Sequence, residues 1–295
     1  MLKTLLLSFS FFIFFGQTAK GQELSLYIVP SPVEINWESP SKLMRTSLVN
    51  QFANSPGPVD YPLGHIYVGL HCSESGVDIL TGMTRDHRNS AFSKTFREGY
   101  GMGILFADIE GRLQNTEEVR TSVDALMEAE AMSFLSFEVS EEVFERLVYY
   151  YENYRESGFC SIYNGLNRPR EGLGAGCAKF AISFLKVAEI DFSPWRSEWI
   201  EFVKVPERLI GGMGINNRHV SILRLLLSAN WAKEGEKYVP FEVYEPWNIH
   251  QWVLAQHEKP DGKIGIIEKS GNPGVIMDFT NSDPPQTPVF ILEAD

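Results

Sequence analysis

The sequence predicts an α+β fold, because short β-rich runs and capped apolar helices alternate along it without an internal repeat. A β-rich run at 65–70, a turn cluster at 73–76 and a second run at 77–80 together predict a hairpin. Ser140 is a good helix N-cap, and apolar residues recur at helical spacing from Val143 to Tyr154. A second apolar helix is expected over 178–190.

The remaining elements are shorter and their patterns are weaker. Helices are expected over 117–131 and about 218–232, and strands at 24–29, 103–109, 132–139, 201–205, 264–268, 274–279 and 288–293. Several prolines break up 22–60, which is therefore expected to be an irregular N-terminal segment around one short strand. We expect a core domain at 61–215 and a C-terminal extension at 216–295, which we expect to pack on that core.

The first 21 residues have the pattern of a cleavable signal peptide. Lys3 precedes an apolar run at 5–15, and Ala19-Lys20-Gly21 offers small residues at the cleavage site, which predicts a mature chain that begins at Gln22. A membrane anchor is the alternative, but the run is shorter than the roughly 20 apolar residues that span a bilayer. The protein is therefore predicted to be exported, to a periplasm or the medium, with no transmembrane segment after cleavage.

The charge balance excludes some partners. The chain has 26 basic and 38 acidic residues, a formal net charge of −12, and loss of the signal removes two lysines and no acid. An acidic surface repels phosphate backbones, so nucleic acid is not an expected partner. The oligomeric state is not indicated by the sequence.

The three cysteines are Cys72, Cys160 and Cys177. In an exported protein, an odd number leaves at least one thiol unpaired within the chain. One disulfide with one free thiol and a fully reduced chain are both compatible with the sequence. Three cysteines are too few for a disulfide scaffold.

The segment Gly172-Leu173-Gly174-Ala175-Gly176-Cys177-Ala178 is the strongest indication of chemistry. A glycine-rich loop leads to a cysteine in the first turn of an apolar helix. The unpaired amides and the helix dipole at such a position stabilise a thiolate, and amides beside Gly176 and Ala178 can hold an oxyanion. A thiolate nucleophile needs a base, and His65 at the start of a strand is the candidate.

The two segments together resemble the circularly permuted papain-like fold, which includes lecithin:retinol acyltransferase-like and related bacterial branches of the NlpC superfamily. In that group a histidine opens a strand of the form His-(hydrophobic)-Gly, as in 64–70, and the cysteine begins a core helix, as in 174–185. The stretch Val205-Pro206-Glu207-Arg208-Leu209 is similar to a Pro-x-x-Leu stretch found after that helix. The resemblance covers roughly 60–215, and long segments at 85–140 and after 215 depart from compact members.

The resemblance implies an antiparallel sheet packed on the helix of Cys177, and a cysteine hydrolase or acyltransferase without a cofactor. Cys177 would be the nucleophile and His65 the general base. A third polar residue normally orients the histidine, and His71, Asp78 and Thr81 remain alternatives. His71 shares a strand face with His65 if the strand is unbroken, and Asp78 is acidic.

Other interpretations of these residues remain open. Cys177 could be a buried structural thiol, or it could pair with Cys160 across the loop between them. His71-Cys72 has no second Cys or His at ligand spacing, so no metal site is expected.

The predicted function is an exported hydrolase that cleaves an amide or ester through a Cys–His thioester mechanism. A cell-wall peptide is the first expected substrate and an acyl lipid the second. The alternative is a non-catalytic binding or surface protein that keeps the fold, with Cys177 structural or disulfide-bonded. A further alternative is an inhibitor or scaffold that binds a partner through 215–295.

Overall fold

A computed structural model describes residues 21–52, 61–86, 90–212, 216–260, 262 and 264–292 of the chain. Except for Gly21, the signal peptide expected at 1–21 lies outside the described residues. Helices and strands alternate along the described chain, which confirms an α+β architecture.

The described strands and helices are numbered in chain order. The strands are β1 (Gln22–Val29), β2 (His65–Cys72), β3 (Val77–Thr81), β4 (Met83–Arg85), β5 (Ile109–Leu113), β6 (Ser133–Val139), β7 (Ile162–Tyr163), β8 (Ile200–Pro206), β9 (Tyr238–Tyr244), β10 (Gly265–Lys269) and β11 (Asn272–Phe279). The helices are α1 (Pro40–Phe52), α2 (Ser90–Phe96), α3 (Thr116–Glu128), α4 (Glu141–Glu156), α5 (Cys177–Val187), α6 (Ser193–Trp199), α7 (Ile222–Leu226) and α8 (Pro246–Glu258).

The main sheet has six strands in the order β10-β11-β6-β1-β2-β3. All neighbours are antiparallel except β11 and β6, which run parallel. The inner strand β1 alternates, so that Leu24, Leu26 and Ile28 are fully buried on one face. The strand expected at 24–29 is therefore confirmed as an inner strand of the sheet. The rest of 22–60 is less irregular than expected, because helix α1 occupies Pro40–Phe52.

Helices α4, α5 and α8 contribute to one continuous hydrophobic core on that face of the sheet. Ser140 caps α4, because its hydroxyl accepts a hydrogen bond from the Val143 N–H at 3.3 Å. Helix α5 buries Phe180 and Phe184 and contacts β2, α4 and β4. The sheet face with Tyr67, Leu80 and Val29 is covered by α3.

Two smaller sheets complete the described fold, with orders β4-β5-β7 and β8-β9. Strand β9 pairs with β8 in a small sheet, and β11 pairs with β6 in the main sheet. The segment expected to be a C-terminal extension therefore contributes strands to two different sheets. Its contacts are those of one interleaved structure rather than an added layer.

Three expected elements differ from the structure. In place of the strand expected at 103–109, the chain forms a short 3₁₀ turn, and β5 follows it. The Gly211 carbonyl packs against Gly103 so closely that a Cβ on Gly103 would lie 2.1 Å from the carbonyl oxygen. The helix expected at 218–232 is shorter, since only α7 (Ile222–Leu226) is helical. Beyond it, the Trp231 indole donates a hydrogen bond to the Trp37 carbonyl at 2.7 Å. The expected strand at 288–293 is irregular where described, and the Arg170 side chain donates to the Val289 carbonyl at 3.0 Å.

No helix in the described part of the chain has both the length and the apolar character needed to cross a membrane.

We expect Leu26→Ala to lower the free energy of unfolding by about 2–5 kcal/mol, because it leaves a cavity where a fully buried side chain of an inner strand packs. Leu223→Ala is the matched control, since Leu223 is 62% exposed and should change stability by less than about 0.5 kcal/mol. Urea unfolding of the mature chain measures both. Equal effects would contradict the central position of β1.

Candidate active site

Cys177 is the first residue of α5, and the loop before it is fixed by close packing against β7. A Cβ added at Gly174 would lie 2.1 Å from the Ile162 carbonyl oxygen, so only glycine allows this approach. The Cys177 N–H donates to the Tyr163 hydroxyl at 3.4 Å, and that hydroxyl donates to the Cys177 Sγ at 3.6 Å. The loop thus places the thiol against the phenol of Tyr163.

The thiol also lies against the beginning of β2. The backbone N–H groups of Ile66 and Ala178 are close enough to the sulfur to favour its ionised form. Because Ile66 directly follows His65, the structure brings the two predicted site residues together at the backbone. No hydrogen bond joins the Cys177 and His65 side chains themselves among the described residues.

His65 is buried in an aromatic box. Its ring stacks on Tyr61 with ring centroids 4.1 Å apart and meets the edge of Tyr67 at 4.5 Å. The hydroxyls of the two tyrosines hydrogen-bond at 2.6 Å, which closes the box around the imidazole. Only 3% of His65 is exposed.

Gln114, at the end of β5, forms the remaining wall and was missed by the sequence analysis. Its amide nitrogen donates to the Tyr61 hydroxyl at 3.2 Å, whereas its Oε1 and the His65 Nε2 are both buried without a partner of normal geometry. Both atoms crowd Gly82, where an added Cβ would lie 3.0 Å from Nε2 and 3.2 Å from Oε1. The two groups are close enough for Gln114 to raise the pKa of His65, against the larger effect of burial.

The three residues proposed to orient His65 have other positions. His71 and Asp78 face each other across the far end of the β2–β3 hairpin with a nitrogen–oxygen distance of 3.7 Å, and Asp78 also pairs with Arg120 at 2.6 Å. Six residues of strand put His71 roughly 20 Å from His65. Thr81 is buried and donates to the Gln114 carbonyl at 3.0 Å, so it contributes by holding Gln114.

Burial dominates the ionisation of both predicted site residues. It lowers the pKa of His65 to about 3 and raises the pKa of the Cys177 thiol above its ordinary value. The Tyr163 hydroxyl and the two backbone N–H groups act in the opposite direction on the thiol but do not outweigh burial. The expectation that this helix terminus lowers the pKa of the thiol was therefore wrong for this structure, in which the Cys177 thiol and the His65 imidazole are both neutral.

All three cysteines are free in the structure, so the alternative in which Cys160 pairs with Cys177 is not present there. Cys72 is buried in the core and Cys160 is partly buried. Among the described residues, no group of three His, Cys, Asp or Glu side chains could hold a metal ion.

A second unexpected residue is Glu245, which precedes α8. One carboxyl oxygen accepts a hydrogen bond from the Trp37 indole at 3.0 Å, and the other is buried without a partner. Burial raises the pKa of Glu245 to about 8, and its charge would raise the pKa of Cys177. The next residue, Pro246, packs against Gly64, so this carboxyl belongs to the surroundings of the thiol.

No family model, curated protein or solved structure matches this chain.

Glu245 predicts a dependence of stability on pH. Because its folded pKa of about 8 exceeds the ordinary 4.5, its contribution is complete below 4.5 and is lost as the pH rises through 8. We expect Glu245→Gln to lose less stability than wild type between pH 5 and about 8.5. Urea unfolding across that range measures this, with the exposed Glu268→Gln as a control that follows wild type. Parallel curves for Glu245→Gln and wild type would contradict a protonated buried carboxyl.

Proposed function

We propose that the protein is an exported cysteine hydrolase that cleaves an amide or ester through a thioester on Cys177. The observation that carries this proposal is the convergence of the first turn of α5 and the first residues of β2 on one sulfur atom. A free thiol there has the Tyr163 hydroxyl 3.6 Å away and backbone N–H groups on two sides.

In this mechanism His65 is the general base. Gln114 lies against Nε2, which leaves Nδ1, the ring nitrogen nearer to the backbone, for the thiol. His65 takes the Cys177 proton, the thiolate attacks the carbonyl carbon, and the Cys177 N–H and Tyr163 hydroxyl stabilise the oxyanion. The imidazolium gives its proton to the leaving amine or alkoxide. Water, deprotonated by His65, then releases the acid and restores the thiol.

The mechanism requires an opening movement, because both groups are buried and neutral in the closed structure. Tyr61 is the group that has to move, since its ring covers one face of His65. Its release would hydrate the imidazole, raise its pKa towards 6.5 and allow a thiolate–imidazolium pair to form. Hydrogen bonds between catalytic groups are often long in a free enzyme and tighten when the substrate binds.

The substrate order follows from the resemblance to permuted papain-like proteins and from the export signal. A cell-wall peptide is the first substrate proposed and an acyl lipid the second. A permuted papain-like core is part of the same proposal. It is supported by the antiparallel pairing of β1, β2, β3 and β6 beside the helix of Cys177.

A non-catalytic binding protein is the second candidate. The burial of His65 and Cys177, and the pKa shifts that keep both neutral, favour it. In that case the thiol and the aromatic box would be parts of a packed core, and Tyr61 would not move.

An acyl-enzyme experiment separates the two. We expect the mature protein to react with p-nitrophenyl acetate and to carry an acetyl group on Cys177, located by peptide mass spectrometry and removed by hydroxylamine. His65→Ala should slow the release of nitrophenol by about 10²- to 10⁴-fold, because it removes the general base. Gln114→Ala should slow it less, since the base remains but is no longer held.

Cys160→Ser is the matched control, because Cys160 is a free and more accessible thiol outside the site. It should react like wild type. Acetylation of Cys160 alone, or a rate that His65→Ala leaves unchanged, would reject the hydrolase in favour of the binding protein.

A further inference from the structure

Arg85 is the last residue of β4, and that strand leaves directly from the wall of the histidine box. Gly82, which lies against the His65 Nε2, is only three residues earlier. Strand β4 also contacts α5 and β7, the two elements that carry Cys177 and Tyr163. Arg85 is therefore on a strand that contacts both elements of the thiol site, and not at the distant end of the hairpin.

The strand register puts Arg85 and Tyr163 on one face of the small sheet. Arg85 is opposite Gly111 on β5, and Tyr163 is opposite Ile109 on the same strand. Directly paired residues share a face, and so do residues two apart on one strand. Arg85 and Tyr163 thus share a side of the sheet, two strand spacings across and two residues along, which is roughly 12 Å between their backbones.

Gly111 of β5 lies between the two strands, and a Cβ there would be 2.8 Å from the Tyr163 backbone nitrogen, so the absence of a side chain lets β7 approach closely. The charge of Arg85 acts over this distance, since it lowers the pKa of both Tyr163 and His65. The guanidinium therefore acts on the two groups that flank the thiol.

The guanidinium has no hydrogen-bonding or ion-pair partner among the described residues, although it is partly buried and the chain is acidic. By contrast, Arg112 on the neighbouring strand β5 forms ion pairs with Asp86 at 3.7 Å and with Glu118 at 2.6 Å. Glu245 does not neutralise Arg85, since it is protonated at neutral pH. A partly desolvated cation without a counter-charge is costly, and it matches a site that receives its anion from a ligand.

We propose that Arg85 binds an anionic group of the substrate, a carboxylate or a phosphate, while the acyl carbon lies at Cys177 and Tyr163. This inference rests on the proposed hydrolase function and narrows its substrates to acyl compounds that carry a negative charge near the scissile bond. The guanidinium fork can hold two oxygens of such a group and so fixes the carbonyl relative to the sulfur. Arg85 is a specificity-determining residue in this scheme and takes no part in proton transfer.

The first arm of the test compares two esters that differ by one charge: the p-nitrophenyl monoester of terephthalic acid, whose free carboxylate cannot reach its own ester carbonyl, and its methyl ester. Arg85→Gln should lower kcat/KM for the anionic ester about 10- to 100-fold, mainly through KM, because a charge-assisted pair is lost. The neutral ester should change by less than about 3-fold. Arg85→Lys should recover part of the loss, since it restores the charge without the fork.

The matched control is Arg155→Gln, which removes an exposed arginine at the end of α4 whose acidic partner is its neighbour Glu156. It should leave both esters unchanged. Equal losses on both esters in Arg85→Gln would mean a structural role for Arg85 and would overturn the inference.

The second arm measures binding without chemistry, on Cys177→Ser protein. Acetylglycine, which offers a carboxylate, and glycerol phosphate, which offers a phosphate, are titrated by calorimetry. We expect at least one to bind, and Arg85→Gln to abolish that binding. The tighter of the two anions distinguishes a peptide-derived source from a lipid-derived one.

The two arms separate the failures. If anions bind and need Arg85 but no thioester forms on Cys177, the hydrolase proposal falls and the anion site remains. If the thioester forms but neither anion binds and the charged ester has no advantage, the Arg85 inference falls and the hydrolase remains.

Discussion

The contact between the first turn of α5 and the first residues of β2 is the constraint on which the site depends. Each side of it is set by glycine: Gly174 lets the cysteine loop lie on β7, and Gly64, with φ 72°, turns the chain into β2 beside Pro246. The Ile66 N–H then meets the sulfur of Cys177. The helix, the main sheet and the small sheet all meet at this point, and none of them could shift by a residue without separating the thiol from the histidine strand.

Burial explains why this site combines suitable groups with unfavourable ionisation. The same closure that brings Tyr61, Tyr67 and Gln114 around His65 removes the water that would stabilise an imidazolium. The thiol is likewise surrounded by donors that favour the thiolate, but burial has the larger effect. Chemistry and closure are therefore opposed in this conformation, and Tyr61, which lies outside any strand or helix, covers one face of the imidazole.

Local pattern was sufficient wherever one stretch of sequence determines its own environment. The helix cap at Ser140, the short strand at 24–29 and the glycine-rich entry to Cys177 are of this kind, and each was predicted. Gln114, Tyr163 and Glu245 were not found, because they reach the site only through the pairing of β5 with β4 and β7 and of β9 with β8. His71 and Asp78 do not reach His65, because an extended strand puts residues that are six apart at its two ends. Helix α8 was missed because its apolar residues do not gather on one side of the helix, although the proline in its first turn is a helix-start signal.

Glu245 and Arg85 each have polar atoms without a partner in the described chain, and they differ in how this can be tolerated. Glu245 is held by the Trp37 indole and is deeply buried, so its unpaired oxygen can be tolerated by remaining protonated. Arg85 cannot escape in this way, because a guanidinium keeps its charge at any physiological pH. A protein with an excess of acidic residues could readily have supplied a partner for it. The absence of such a partner in the described chain, on the one sheet face that Tyr163 also uses, is therefore most simply explained by a negative charge that arrives with the ligand.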